Sequence, residues 1–272
     1  MNSENKLPLM GFGTWNRTEL ETYQSVQDAL LIGYRHIDTA QGYDNEQAVG
    51  KAIAESKVDR KEIFLTTKVK PENFGPNVIL GTVKESLEKL QTEQVDLLLL
   101  HYPSIGGEYD MEDYIAQFAQ VYDMGLCKNI GLSNFTISLL DQAISLLGDR
   151  KIITNQVEIH PLMQNTPIVE HCKSLGIPLT AYSPLARGEI MGHPVLTEIA
   201  KNHNATVAQI SLAFLMSQNY SVIPAARSFD RIKENFDAIK IKLSFSEIET
   251  IKTIDEKKRL VDGPWCPQWD NY

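Results

Sequence analysis

The feature that most constrains the fold of this chain is a regular alternation of short apolar runs and amphipathic stretches. Apolar runs of this length between helical stretches are typical of buried parallel strands. The sequence predicts strands at residues 9–13, 36–40, 63–68, 95–101, 129–133, 154–159, 178–183 and 221–224. It predicts helices at 18–33, 45–56, 76–90 and 111–124, one ending near 147, and others at 167–175, 194–219 with a break at 204–206, 230–240 and 245–256. Eight strand–helix units predict a closed (β/α)8 TIM barrel with its active site at the C-terminal ends of the strands.

An open, doubly wound sheet is the alternative arrangement of the same elements. That fold carries a G-x-G-x-x-G fingerprint after its first strand. The only candidate here is the segment 11–16, GFGTWN, which lacks the third glycine. No low-complexity linker interrupts the chain, so we expect one barrel domain over residues 1–272.

Composition narrows the classes of partner. The chain has 26 basic and 35 acidic residues, a formal net charge of −9, and no basic run, so neither nucleic acid nor an anionic membrane is an expected partner. Its three cysteines show no CxxC spacing, which favours reduced thiols and a cytoplasmic location. No secretory signal pattern and no apolar run of about 18 residues is present. Without a heptad pattern or an apolar stripe, a monomer is expected.

Four polar residues follow the ends of neighbouring predicted strands: Asp38, Tyr43, Lys68 and His101. Alone, each has an ordinary structural explanation, namely a turn cap, a loop tyrosine, a solvated charge and a core histidine. Together they would meet at one end of the barrel, where such enzymes have their active sites. A carboxylate, a phenol, an ammonium and an imidazole at one place predict an acid/base centre. The other histidines lack metal-ligand spacing, so no metal site is predicted.

With these residues identified, the chain resembles the aldo-keto reductase family. Eight motifs follow the family's order over nearly the whole chain: GFGTW (11–15), GYRHIDTAQGYDNE (33–46), TTK (66–68), LLHYP (99–103), IGLSNF (130–135), NQVEIHP (155–161), YSPLARG (182–188) and IPAARSFDRIKEN (223–235). Within the family it is most similar to the bacterial 2,5-diketo-D-gluconate reductase B group, through segments 38–56, 131–139, 203–214 and 259–270.

The resemblance implies an NADPH-dependent reduction of carbonyl compounds to alcohols. The nicotinamide would supply hydride, and Tyr43 would supply the proton. We expect Lys68 to lower the pKa of the Tyr43 phenol, which is near 10 when free, because a neighbouring positive charge favours the phenolate. Asp38 would hold Lys68 in place, and His101 would orient the substrate oxygen.

The resemblance also implies a set of cofactor contacts at the strand ends. The residues expected around the nicotinamide and pyrophosphate are Gly13, Thr14, Asp38, Ser133, Asn134, Gln156, Tyr182, Ser183, Leu185, Arg187 and Gly188. The residues expected around the adenosine 2′-phosphate and the adenine are Ala225, Arg227, Ser228, Arg231, Glu234 and Asn235. Turn, cap and helix-surface roles are the alternative for these residues.

One departure from the family pattern concerns the 2′-phosphate. The family usually carries Lys-Ser directly after the Ile-Pro of strand eight, and here those positions are Ala225 and Ala226. Arg227 is the expected substitute, and the retained Arg231 favours NADPH. We therefore expect a preference for NADPH over NADH that is weaker than in the family.

The substrate wall is expected to contain Trp15, Tyr43, His101, Tyr102, Trp265 and Trp269. Because the loop after the fourth strand (103–110) is short, the site suits small aldehydes, α-dicarbonyls such as methylglyoxal, and keto-sugar acids such as 2,5-diketo-D-gluconate. Two other functions stay open: a cofactor-sensing regulatory subunit of the same fold, and a metal-free barrel isomerase or aldolase with Lys68 as a Schiff-base amine. The complete set of four residues argues against the regulatory subunit.

Overall fold

The computed structural model describes residues 7–270. Its eight strands form one parallel sheet in chain order, each paired in parallel with the next. The strands are β1 Phe12–Gly13, β2 His36–Asp38, β3 Phe64–Val69, β4 Leu97–Leu100, β5 Ile130–Ser133, β6 Ile152–Glu158, β7 Leu179–Tyr182 and β8 Ser221–Val222. This order of strands and intervening helices is consistent with a (β/α)8 fold.

Helices connect the strands. They are α1 Glu19–Ile32, α2 Glu46–Ala54, α3 Ile79–Lys89, α4 Met111–Asp123, α5 Ile137–Leu147, α6 Thr166–Ser174, α7 Pro194–Asn202, α8 Val207–Ser217, α9 Phe229–Asp237 and α10 Phe245–Lys252. The predicted break in the region 194–219 is confirmed. It separates α7 from α8 because Asn204 takes a left-handed φ of 48° and Thr206 starts a new capping box.

The apolar runs behave as strands buried on both faces. All four leucines of β4 are buried, and every residue of β2 and β5 is buried as well. Each fully buried leucine contributes roughly 1.5–3 kcal/mol relative to an exposed one, so these continuous runs favour a sheet that is covered by helices.

The two ends of the sheet differ from the prediction. β1 and β8 have two residues each, whereas residues 9–13 and 221–224 were expected. The predicted segments still meet: Gly11 N donates to Val222 O (2.8 Å), Val222 N donates to Leu9 O (2.8 Å), and Met10 forms a parallel bridge with Val222. Pro224 has no N–H to donate, so one hydrogen bond is missing between these segments, although Gly13 N still donates to Pro224 O (3.1 Å).

The strand register brings the polar residues to one edge of the sheet. Asp38 pairs with Gly13, and Ser133 pairs with Gln156, in each case near the carboxyl end of the strand. Tyr182 pairs with the last residue of β6 in the same way. No helix within residues 7–270 is long and apolar enough to cross a membrane.

Candidate active site

A cleft of about 810 Å³ opens at the carboxyl ends of the strands. Its volume lies within the usual range for ligand sites, about 300–1,000 Å³. Most of the site residues predicted from the sequence line it, namely Gly13, Trp15, Asp38, Tyr43, His101, Tyr102, Ser133, Asn134, Gln156, Tyr182, Ser183, Leu185, Arg187, Ala225, Arg227 and Trp265.

Lys68 lies beneath this cleft, completely buried at the end of β3. Its Nζ donates to Asp38 Oδ1 (2.5 Å) and to the backbone oxygen of Thr39 (2.9 Å). It also lies 3.3 Å from the hydroxyl oxygen of Tyr43, within hydrogen-bond reach. An ammonium has three N–H groups, and these contacts account for all three. The amine therefore supports the Tyr43 hydroxyl from below and does not reach the cleft itself.

The second oxygen of Asp38 is also occupied. Oδ2 accepts a hydrogen bond from Nε2 of Gln156 (2.9 Å), which reaches across from β6. Because burying an ion pair is costly unless its remaining lone pairs are bonded, this contact makes the buried Asp38–Lys68 pair tolerable. Sequence reasoning expected Gln156 to bind nicotinamide and missed its contact with Asp38, which no local pattern in the sequence indicates.

Above this pair, His101 and Tyr43 face one another. Their ring centroids are 5.4 Å apart at an interplanar angle of 77°. Since Lys68 donates to the phenolic oxygen of Tyr43, the phenol's own proton is free to point into the cleft. An imidazole N–H and a phenol O–H can therefore converge on one substrate oxygen.

The pKa shifts here have one dominant cause. Burial raises the pKa of Tyr43 well above 10, and the charge of Asp38 raises it further. Burial and then the charge of Lys68 lower the pKa of His101. Burial also lowers the pKa of Lys68, against the influence of Asp38. The predicted lowering of the Tyr43 pKa by Lys68 is wrong for this structure, because burial and the charge of Asp38 raise that pKa instead. Tyr43 is thus a neutral phenol and His101 a neutral imidazole at neutral pH.

A second set of hydrogen bonds lies under the β5 and β7 side of the cleft. Asn134 Nδ2 donates to the backbone oxygen of His101 (2.9 Å) and to Ser133 Oγ (3.1 Å). Tyr182 donates its hydroxyl proton to Asn134 Oδ1 (2.8 Å), and Ser133 Oγ donates to the backbone oxygen of Gln156 (2.9 Å). These contacts fix the polar side chains and leave the Tyr182 ring on the cleft wall.

Cationic residues distinguish the side of the cleft formed by the loops after β1, β7 and β8. Arg17, Arg187 and Arg227 all line the cleft, while Asp38 is the only carboxylate among the described residues that do so. In a chain of net charge −9, this local excess of guanidinium groups favours an anionic ligand. The cleft therefore has the volume, the aromatic wall and the local positive charge to hold an anionic cofactor.

Arg17 was missed in the sequence analysis. It donates to the backbone oxygens of Gly13 (2.9 Å) and Ala226 (2.7 Å), which ties the loop after β1 to the loop after β8. Burial lowers its pKa to about 10, so it remains charged at neutral pH. Its position two residues after the GFGTW motif was the available signal.

Two neighbouring contacts also join loops across the rim. The guanidinium of Arg187 lies 4.9 Å from the Trp15 ring centroid, a cation–π contact between the loops after β7 and β1. Arg227 donates to the backbone oxygen of Asn16 (3.1 Å) and lies 3.6 Å from Glu21.

Some predicted cofactor residues do not line the cleft. They are Thr14, Gly188, Ser228, Arg231, Glu234 and Asn235. Thr14 is buried and bonds to the backbone oxygen of Asp38, and Asn235 is also buried. Ser228 caps α9, and Arg231 lies 3.7 Å from Glu234 on the surface. Their roles toward a cofactor stay predictions.

The residues of the C-terminal segment also differ in whether they line the cleft. Trp265 and Val261 line the cleft, whereas Trp269 does not and instead donates to Asp262 (2.9 Å). The expectation for Trp269 is therefore wrong. Within residues 7–270, no group of three or more His, Cys, Asp or Glu side chains is arranged to hold a metal ion.

Comparison with known proteins supplies the family. The profile of the Aldo/keto reductase family matches residues 9–256. Methylglyoxal reductase DkgB of Escherichia coli O157:H7 is 42% identical over 265 residues, covering 97% of this chain and 99% of that protein. Glyoxal reductase of Bacillus subtilis (strain 168) is 36% identical over 262 residues, 95% of this chain and 93% of the other.

The solved structures agree. A crystal structure of a protein assigned as 2,5-diketo-D-gluconic acid reductase B matches with a TM-score of 0.94 at 37% identity, covering 99% of this chain and 96% of that one. Reductases of the matched family act on small carbonyl compounds and generally use a nicotinamide cofactor. Given a match over most of its length and relatives of about 40% identity, the chain belongs to the aldo/keto reductase family of oxidoreductases.

Proposed function

We propose that this protein reduces small α-dicarbonyls, such as methylglyoxal and glyoxal, and keto-sugar acids, with NADPH as the cofactor. The observation that carries the proposal is the contact of Lys68 with the Tyr43 hydroxyl, 3.3 Å apart beneath a cleft lined by arginines. The names of the relatives support this substrate class, since they include methylglyoxal reductase and glyoxal reductase.

The bound nicotinamide would supply the hydride for the carbonyl carbon. Tyr43 would donate its hydroxyl proton to the carbonyl oxygen, because its raised pKa keeps it protonated until that oxygen becomes basic. Lys68 would stabilise the resulting phenolate through its existing contact with the Tyr43 oxygen, and Asp38 would keep the amine in place. His101, as a neutral imidazole, would donate a second hydrogen bond to the substrate oxygen.

For the cofactor, we propose that the cationic side of the cleft holds the phosphates. Arg187 and Arg227 line it directly, and Arg17 holds its two loops together. Asn134, Gln156 and the ring of Tyr182 would surround the nicotinamide. Arg231 would reach the 2′-phosphate from the surface of α9, and Ser228, Glu234 and Asn235 lie close to it in the chain.

We further propose that the sheet closes into a (β/α)8 barrel in a single domain, and that the protein is a cytoplasmic monomer. The hydrogen bonds between residues 9–13 and 222–224 support the closure, since Gly13 N also donates to Pro224 O (3.1 Å). An added Cβ at Gly13 would lie 2.8 Å from the backbone oxygen of Ile223, so glycine permits this close approach.

The wall of the cleft supports a small substrate. Trp15 and Trp265 stay 46% and 56% exposed, so they border the site without enclosing it. Tyr102 contributes a further aromatic face next to His101. The Schiff-base alternative has little support, because the amine of Lys68 is buried beneath Tyr43 and absent from the cleft lining.

The test is the rate of NADPH oxidation with methylglyoxal, in the wild type and in Tyr43→Phe. We expect turnover in the wild type and a loss of about 10²–10⁴-fold in kcat in the variant, since the general acid is removed. NADPH affinity, followed by fluorescence titration, should change little. A variant with undiminished kcat would refute the role of Tyr43. A wild type that binds NADPH without turnover would support a regulatory subunit instead.

A further inference from the structure

A second buried carboxylate lies outside the Asp38–Lys68 centre. Glu158 ends β6 and is completely buried. Its Oε1 accepts from His160 Nε2 (2.9 Å) and from the backbone N–H of Leu260 (2.8 Å), and its Oε2 accepts from the backbone N–H of Val261 (3.0 Å). Both oxygens are therefore bonded, as a buried carboxylate requires.

His160 is equally buried and belongs to the same arrangement. An ionised carboxylate only accepts hydrogen bonds, so Nε2 of His160 carries the proton of this contact. His160 also exchanges two backbone hydrogen bonds with Met163 (3.0 and 2.9 Å), which closes the turn after β6. Neither Glu158 nor His160 lines the cleft.

Glu158 binds the backbone of a C-terminal segment that forms one wall of the cleft. Val261 and Trp265 both line it. Trp265 lies in a turn that is closed by a hydrogen bond from Cys266 N to Gly263 O (2.9 Å). The Trp265 ring packs on Gly263, where an added Cβ would lie 2.4 Å from the ring. The position of Trp265 thus follows the backbone of residues 260–263.

Other contacts hold the two ends of this segment. Lys258 N donates to the backbone oxygen of Leu162 (3.0 Å), and Asp270 accepts from the backbone N–H of Ile137 at the start of α5 (3.1 Å). Between these points, Glu158 binds the backbone at Leu260 and Val261. Hydrogen bonds from N–H groups to an ionised carboxylate are roughly twice as strong as neutral ones.

We propose that Glu158 is a positioning residue for substrate binding. With His160 it anchors the segment 258–270, so that Val261 and Trp265 form the wall that a carbonyl substrate contacts. The kinetic consequence rests on the proposed reductase function, while the anchoring of the segment does not. Burial raises the pKa of Glu158, but the bonds from His160, Leu260 and Val261 outweigh it and hold that pKa below its ordinary value.

The first experiment is hydrogen exchange of the backbone amides in Glu158→Gln. The amide of glutamine presents N–H groups where Val261 or Leu260 needs an acceptor, so exchange at residues 260 and 261 should accelerate by about tenfold or more. Glu249→Gln on the exposed face of α10 is the matched control, and it should leave this exchange unchanged. Unchanged exchange in Glu158→Gln would overturn the anchor, whether or not the protein is a reductase.

The second experiment uses steady-state kinetics with methylglyoxal. We expect KM to rise by about tenfold in Glu158→Gln, with kcat within about twofold and NADPH affinity unchanged. The double variant Glu158→Gln/Trp265→Ala should raise KM by clearly less than the product of the two single effects, because Trp265 is part of the wall that Glu158 positions. Additive increases in KM would show that Glu158 acts elsewhere and would overturn the proposal.

His160→Ala covers the case in which Glu158→Gln does not fold. It removes one donor and leaves both backbone bonds to Glu158, so a smaller change in the same direction is expected in exchange and in KM. No change in either would overturn the proposal. A wild type that shows no turnover would refute the proposed function only, and the exchange experiment would still decide the anchor.

Discussion

Asp38→Asn tests the buried ion pair beneath the cleft. The substitution keeps the size of the side chain and removes the charge that faces Lys68 at 2.5 Å. It also turns an acceptor of the Gln156 amide into a possible donor, so the contact at 2.9 Å is weakened. Both Asp38 and Lys68 are at most 1% exposed, which leaves water unable to replace the missing charge.

The size of the effect of Asp38→Asn follows from the loss of the negative charge beside the amine of Lys68. Removing one partner of a buried pair costs about 3–5 kcal/mol when the other charge stays. Lys68 can reduce this cost by releasing its proton, because burial already lowers its pKa and Asp38 is the largest influence that raises it. An uncharged amine would stabilise the Tyr43 phenolate poorly. Loss of one such charge-stabilising donor corresponds to about 3–4 kcal/mol, or roughly 10²–10³-fold in kcat.

The pH dependence gives the sharpest assay. A lysine whose folded-state pKa lies below 10.5 binds fewer protons in the folded protein than in the unfolded chain, so stability rises with pH until the unfolded lysine also loses its proton. Asp38→Asn lowers the folded pKa further, which extends this rise to lower pH. Urea unfolding between about pH 6 and pH 9 should therefore show a steeper increase for the variant than for the wild type. If the free energy of unfolding depends on pH in the same way in both proteins and kcat is unchanged, the proposed role of Asp38 in keeping Lys68 charged is refuted.

Two further predictions concern the preference for NADPH and the buried carboxylate of Glu46 in α2. The ratio of kcat/KM with NADPH to kcat/KM with NADH should exceed one in the wild type. Ala225→Lys should raise this ratio by about three- to tenfold, because it adds an ammonium on the cationic side of the cleft. A wild type that favours NADH would contradict the proposed cofactor. Glu46, which accepts from Thr67 and Ser86, has a pKa raised chiefly by burial, so its contribution to stability is lost as pH rises through that folded pKa. In urea unfolding, the free energy of unfolding of Glu46→Gln relative to that of the wild type should therefore be highest at about pH 8 and lowest at about pH 4. The opposite trend would contradict a raised pKa of Glu46.

The fold was predictable where the apolar pattern is strong. The four-leucine run of β4 and the alternation of strands and helices identified the elements, including the break between α7 and α8. The ends of the first and last strands were not predictable. There, the pairing depends on how closely Gly13 approaches the backbone of Ile223 and Pro224, which is a long-range contact that a local pattern does not contain.

The lining of the cleft was largely predictable, whereas the contacts beneath it and the pKa shifts were not. Strand ends placed Asp38, Lys68 and His101 correctly at one edge, because parallel strands in sequential order share that edge. The sequence did not indicate that Gln156 bonds to Asp38, or that Arg17 joins two loops. Both contacts cross the cleft between residues far apart in the chain, and each of these side chains also fits another role.

The direction of the pKa shifts is consistent with the chemistry that we propose. A phenol whose pKa fell below the working pH would lose its proton before a carbonyl could take it. Here burial and the charge of Asp38 keep Tyr43 protonated, while the Nζ of Lys68 lies within reach of the oxygen that becomes negative after transfer. Lys68 then acts on the phenolate more than on the phenol, because an ammonium stabilises a full negative charge more strongly than a neutral oxygen. The error in the sequence-based prediction of this pKa therefore concerns the resting state, and the proposed proton transfer does not require the shift that it assumed.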